Sequence, residues 1–162
     1  MESTEIKAFV KSVNEFISLI EDIDKIRAYE LLFRSAVILP SVYSLVMILA
    51  DVDPSTDEPE IYDGASMMGI ILEKIGKYDN YSEIFDPIFE NEMVVGSLSD
   101  DLADIYADLK GPMISFESGR ENDAIWQWKF NVKTHCGDHL VDSLRVIHRL
   151  VNDHLDPDYN NN

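Results

Sequence analysis

His135 and His139 stand four residues apart, with Asp138 and Asp142 spaced among them. At about 100° per residue, these spacings of three, four and seven bring the four side chains into one arc of a helix. A His-x-x-x-His pair so placed can chelate a metal. Upstream, Asp101, Asp104 and Asp108 repeat at three and four beside an apolar stripe. If the two segments form an antiparallel helix hairpin, like flanks face each other, putting Asp101 opposite Asp138 and Asp104 opposite His135. Carboxylates beside imidazoles admit two chemistries. One is a divalent-metal site built from His135, His139, Asp101 and Asp104, and the other is a polar network in which the aspartates hold the histidines and fix the register of the hairpin. The Glu-x-x-His pairs of di-iron bundles are absent, which favours the network.

Other reactive residue types carry less. Cys136 falls on the apolar stripe, where a thiol is buried and inert. His148, at the edge of that stripe, reads as a packed, hydrogen-bonded core residue, and His154 as exposed. Trp128 reads as core and Trp126, on another side of the helix, as covering the Met- and Phe-rich side of the bundle, the alternative being a partly exposed ring that anchors a partner. Met67 and Met68 read as core filler. Glycine-rich phosphate loops, nucleophile elbows, paired cysteines and H-E-x-x-H are absent. The acidic run at residues 57–63 lacks the order of an EF-hand loop and reads as solvated.

The elements that must position these residues have helical period throughout. Ile6, Phe9, Val10, Val13, Phe16, Ile17 and Ile20 mark a first helix. Asp24 can cap a second, carrying Ile26, Tyr29, Leu32, Phe33, Ala36 and Val37, which should break or kink near Pro40 before a third apolar segment at residues 42–49. Residues 51–63 read as an exposed loop, and Met67, Met68, Ile71, Leu72 and Ile75 as a helix ending at Gly76. Residues 77–96 read as irregular, pinned to the core by Tyr78, Tyr81, Phe85 and Phe89. Ser97 starts a capped helix carrying Leu98, Leu102, Ile105, Leu109, Met113 and Phe116, with a kink signal at Gly111-Pro112 and a stop at Gly119. The last helix begins near Asn122 or Asp123 and carries Ile125, Trp128, Val132, Cys136, Leu140, Leu144, Ile147 and Val151. No strand pattern stands out, so the expectation is an all-α, single-domain bundle of about five to six helices closed by an antiparallel hairpin. The domain is expected over residues 1–155, followed by a short frayed polar tail at 156–162.

Composition bounds the function classes. The 162 residues are 46% hydrophobic and 27% charged, the composition of a chain that folds around one core. Thirty-one acids against 13 bases give a net charge of -18, which repels phosphate backbones and anionic membranes. No nucleic acid and no membrane are expected as partners, and the most apolar stretch, interrupted by Pro40, falls short of the ~20 residues of a bilayer span. A single cysteine and no signal sequence fit a reducing cytoplasm.

Residues 97–110 (SLSDDLADIYADLK) and 122–150 (NDAIWQWKFNVKTHCGDHLVDSLRVIHRL) resemble the bacterial family called domain of unknown function 5063. The resemblance is carried by the DDLADIY run, the Trp-rich start of the last helix, the His-x-Gly-x-His segment and the closing L-R-V-I-H, and it spans most of the chain. It implies a small all-α bacterial protein with no assigned activity. Asp101, Asp104, His135 and His139 match positions of the family pattern, whereas Cys136 stands where that pattern offers an aromatic, which weakens thiol chemistry. With no complete catalytic set in view, the first expectation is a non-enzymatic, acidic protein-interaction module with no cofactor, favouring a basic partner electrostatically. The alternative is a divalent-metal-dependent enzyme or metal-binding protein with its site between the last two long helices.

Overall fold

α1 (Thr4–Glu21) buries Ile6, Phe9, Val13, Phe16, Ile17 and Ile20, the stripe its spacing predicts. The computed structural model describes residues 4–55 and 58–159, so parts of the expected loop (56–57) and tail (160–162) lie outside the described residues. α2 (Ala28–Ile48) starts later than expected, because Asp24 lies in a 3-10 turn (Ile23–Lys25) and the residue at the N-cap is Arg27. Nor does α2 break at Pro40. The ring sits on the exposed side while Leu39 and Val42 on either side of it are buried, so packing holds both halves of one helix together. The expected third segment is therefore the second half of α2. Its buried face includes Leu31, Leu32, Ile38, Leu39, Val42 and Val46, whereas Phe33 and Val37, expected inside, are exposed. Apolar residues stand on every side of α2, among few polar ones, so periodicity alone does not choose the inner face. By length and composition it is also long and apolar enough to cross a membrane.

α3 (Ala65–Ile75) buries Ile71 and Ile75, ends at Gly76 and packs on α4. Next comes an antiparallel hairpin, where an irregular segment is expected from the sequence. β1 (Asn80–Glu83) pairs with β2 (Val94–Ser97) in the register Asn80↔Ser97, Tyr81↔Gly96. Four residues per strand are too few for alternation to register as a pattern. Of the four rings expected to pin this region, Tyr78 and Tyr81 pack on the core, whereas Phe85 and Phe89, in the connecting loop, are 80% and 86% exposed.

α4 (Leu98–Glu117) begins with the expected cap, the Asp100 N–H donating to Ser97 Oγ at 3.3 Å. The helix runs through Gly111-Pro112. Pro112 has no N–H to offer the Asp108 carbonyl one turn back, and Asn131 Nδ2 donates to that oxygen instead at 3.0 Å. This bond ties α4 to α5 (Glu121–Asn131), which follows a turn through Gly119. The helical run continues through a π-turn (Val132–Cys136) into α6 (Gly137–Arg149) and ends in a second π-turn (Leu150–His154), where the Leu155 N–H reaches the Leu150 carbonyl at 2.7 Å. The fold is thus a helical bundle with a C-terminal antiparallel hairpin and one small added sheet. His148 is exposed rather than packed in the core, and bonds only to Asn152 among the described residues. Asp158 and Tyr159, expected in a frayed tail, reach Arg27 and the Tyr78 ring.

Trp128 is the centre of the core. Fully buried, it meets the edge of Phe9 at 5.0 Å and Phe116 at 5.9 Å, and its Nε1–H donates to the Leu109 carbonyl at 3.1 Å. Trp126 is partly exposed and stacks on Phe130. Trp128→Ala should destabilise the fold by about 3–5 kcal/mol in urea denaturation, because it opens a cavity at the meeting point of three helices. A loss below about 1 kcal/mol would place the centre of the core elsewhere.

Candidate metal centre

Between α4 and the last helix, acids and imidazoles alternate. His139 Nδ1 lies 2.8 Å from Asp101 Oδ1, and His135 Nδ1 lies 2.8 Å from Asp108 Oδ2. An ionised carboxylate only accepts, so each imidazole carries its proton on Nδ1 and, when neutral, offers a bare lone pair at Nε2. Both Nε2 atoms face Asp104, whose Oδ2 is 3.4 Å from that of His139 and 3.6 Å from that of His135. One ligating atom from each of Asp104, His135 and His139 lies within 4.8 Å of the other two. The 3.4 and 3.6 Å separations are long for hydrogen bonds. They match the ligand–ligand edges, about 3.3–3.6 Å, of a tetrahedron with metal bonds of 2.0–2.2 Å.

The outer partners are themselves held. Asp101 is only 7% exposed, and the Tyr81 hydroxyl stands 2.7 Å from its Oδ2 and 3.0 Å from Glu83 Oε2. Gly96, the cross-strand partner of Tyr81, makes this reach feasible, since a Cβ there would lie 2.5 Å from the tyrosine ring. Burial and the charge of Asp101 push the Tyr81 hydroxyl well above its ordinary value, so it stays a protonated donor. Burial, then the charge of Asp100, raises the Asp104 carboxyl, against the opposite pull of the two histidines. The hydrogen bond that His139 donates to Asp101 raises His139 against the effect of burial, and the charges of Asp101, Asp104 and Asp100 add to it. Asp142 is raised by burial and by Glu83. The site therefore carries more negative charge than its surroundings stabilise. Cys136 lies behind it, its thiol pushed up by burial and by Asp108, and so unsuited to ligation as a thiolate.

The π-turn explains this placement. A side chain at Gly137 would lie 2.1 Å from the Val132 carbonyl five residues back, so the turn requires glycine. The structure brings together all four residues singled out in the sequence, with Asp101 holding His139 at Nδ1. Asp104 stands beside His135, as expected, and beside His139 as well. Asp101 lies behind His139 rather than opposite Asp138, and Asp138 lines a cleft with Trp126 and Lys133. Two functional residues were missed. Asp108, noted only as part of the acidic column, braces His135, and its spacing from Asp104 was the available signal. Tyr81 carried none, because it arrives from a hairpin that the sequence did not disclose.

A model of the family described as Domain of unknown function (DUF5063) matches residues 1–153. The chain is similar in fold to protein BF1032 from Bacteroides fragilis, a structural-genomics target, with a TM-score of 0.79 and 23% sequence identity over 97% of this chain and 98% of that one. No curated protein matches the chain.

Gly137→Ala should reverse the usual sign of such a change. In an ordinary helix it stabilises by about 1 kcal/mol, whereas here the new methyl meets the Val132 carbonyl and should lower the melting temperature. A stabilised variant would mean that the π-turn is not needed. In metal-free protein, NMR titration of His139 should give a midpoint above its ordinary 6.5, falling in Asp101→Asn. Because the folded value is the higher, the stability from this pair is complete below about 6.5 and is lost as pH rises through the folded midpoint. A midpoint at or below 6.5 would contradict the Asp101 contact.

Proposed function

The chain belongs to the family Domain of unknown function (DUF5063), and we propose that it is a metal-binding helical protein whose divalent ion rests on Nε2 of His135, Nε2 of His139 and a carboxylate oxygen of Asp104. One observation carries this reading. Each imidazole is braced at Nδ1 by its own aspartate, which leaves both Nε2 lone pairs turned toward a shared carboxylate. Metal-bound histidines have this outer arrangement, because the second carboxylate fixes the tautomer and strengthens the ligand. The raised Asp104 adds support, since a dication would relieve the crowding of charge around it. Nitrogen and oxygen ligands suit zinc, manganese or ferrous iron, and three protein ligands leave coordination positions open for water or substrate. Such an ion acts as a Lewis acid and lowers the pKa of bound water.

A second reading, the protein-interaction module, draws support from Phe85, Ile88 and Phe89, which stand exposed on the hairpin loop.

The test of the metal reading is the metal content of tag-free protein, with thermal melts in zinc, manganese and chelator. Saturation at about 100 times the dissociation constant should add about 2.7 kcal/mol, or about 5–10 °C. His135→Ala, His139→Ala and Asp104→Ala should abolish the shift. Asp101→Asn and Asp108→Asn should weaken affinity about 10–100-fold without abolishing it. Affinity should fall as pH drops below the raised His139 midpoint, because the proton and the ion compete for one lone pair. Protein that takes up no metal and shows no shift would leave the histidines as a structural network.

A further inference from the structure

Two surfaces of opposite character lie side by side. The first is a groove between α2 and the last helix, made of two adjoining cavities of about 580 and 600 Å3 that share Val141. Phe33, Val37, Tyr43 and Met47 form one bank and Trp126, Phe130 and Val141 the other, each between 38% and 62% exposed. Among the described residues its walls also hold four cations, Lys129, Lys133, Arg145 and Arg149, against two acids, Asp51 and Asp138. That is an inversion in a chain whose acids outnumber its bases 31 to 13. Lys129 is paired with Asp51, Arg145 with Asp142 and Arg149 with Asp153, while Lys133 has no ion-pair partner among the described residues.

The second surface is the loop joining β1 to β2, residues 84–93. Phe85, Ile88 and Phe89 are each at least 80% exposed, and the loop has three acids, Asp86, Glu90 and Glu92, and no base. It is shaped rather than slack, because the Asp86 carboxylate accepts from the N–H groups of Ile88 and Phe89. Apolar residues interleaved with acids are the complement of apolar banks rimmed with cations. The two surfaces are neighbours, since Arg145 lines the groove and donates to the Ser82 carbonyl of β1 at 3.3 Å. A two-fold interface is a single contiguous patch that complements itself, which this adjacency provides.

We propose that the chain forms a two-fold dimer in which the loop of each copy, residues 84–93, docks in the groove between α2 and the α5–α6 run of the other, its phenylalanines on the apolar banks and Glu90 and Glu92 against Lys133 and Arg149. The scale is adequate. A standard interface buries about 800 Å2 per partner, and aromatic side chains bring about 150–250 Å2 each. The two loop phenylalanines with the half-exposed rings of the groove approach that area.

Sedimentation and light scattering of the full chain at about 100 μM, in about 0.15 M salt to screen the net charge, should give twice the 18.5 kDa chain mass. Phe85→Ser/Phe89→Ser should run as a monomer. So should a groove variant, Lys133→Glu/Arg149→Glu, and a loop variant, Glu90→Lys/Glu92→Lys, each alone. Mixed in equal amounts, the two charge-reversed variants should regain the dimer mass, because both contacts then become complementary again, and this arm also shows that both are folded. A wild-type monomer, a dimer that survives these changes, or a mixture that stays monomeric would overturn the proposal. A wild-type monomer that floats with phosphatidylcholine vesicles would overturn it too, and would assign the groove to lipid.

Discussion

The apolar side of the last helix repeats in steps of four, from Trp128 to Val132 to Cys136 to Leu140, and all four are buried. Each step of four overshoots a full α-helical turn by about 40°, so three in succession would carry the stripe about 120° around the axis and out of the core. The wider π-turn at Val132–Cys136 absorbs that drift and keeps the stripe against α4. Gly137 makes the turn sterically allowed. The second π-turn answers to the same need, since Leu150 and the next buried residue, Leu155, are five apart. Everything at the site depends on this correction. It keeps His135 and His139 together on the flank that faces α4 while Cys136 points inward behind them.

That flank resolves an electrostatic problem of the sequence's own making. Asp101, Asp104 and Asp108 form one column on α4, where like charges three and four apart repel. The histidines of the facing helix enter between them, so the order across the seam is Asp101, His139, Asp104, His135, Asp108. Two protonated imidazoles would offset two of the column's three negative charges, the same charge that one dication carries. The proposed metal site would use the same ladder as the structural network, with the ion in place of the imidazole protons.

Much of this was legible in the residues. The α4 stripe, its Ser97 cap, the antiparallel hairpin and the convergence of Asp101, Asp104, His135 and His139 all follow from spacing, because helical period is a local property. The inner face of α2 was not legible, since a helix with apolar residues on every side leaves the choice to its neighbours. The hairpin was hidden because four-residue strands show no period, and with it went Tyr81. The exposure of His148 and the position of Asp101 beside His139 rather than opposite Asp138 have one cause. The segment leaves ideal α-helical geometry twice, which its run of fours signals and a regular helical wheel does not.

Tyr81 gives the hairpin a second significance. Its hydroxyl rests on the aspartate that sets the tautomer of His139, so the position of β1 and the readiness of Nε2 are mechanically joined. Anything that held the loop of residues 84–93 would also steady or disturb that imidazole. Linkage is reciprocal, and an ion that preferred one arrangement of Tyr81 and Asp101 would bias the hairpin by the same free energy. The β-hairpin is in this sense a lever whose short arm ends at Asp101 and His139 and whose long arm is the exposed loop of residues 84–93.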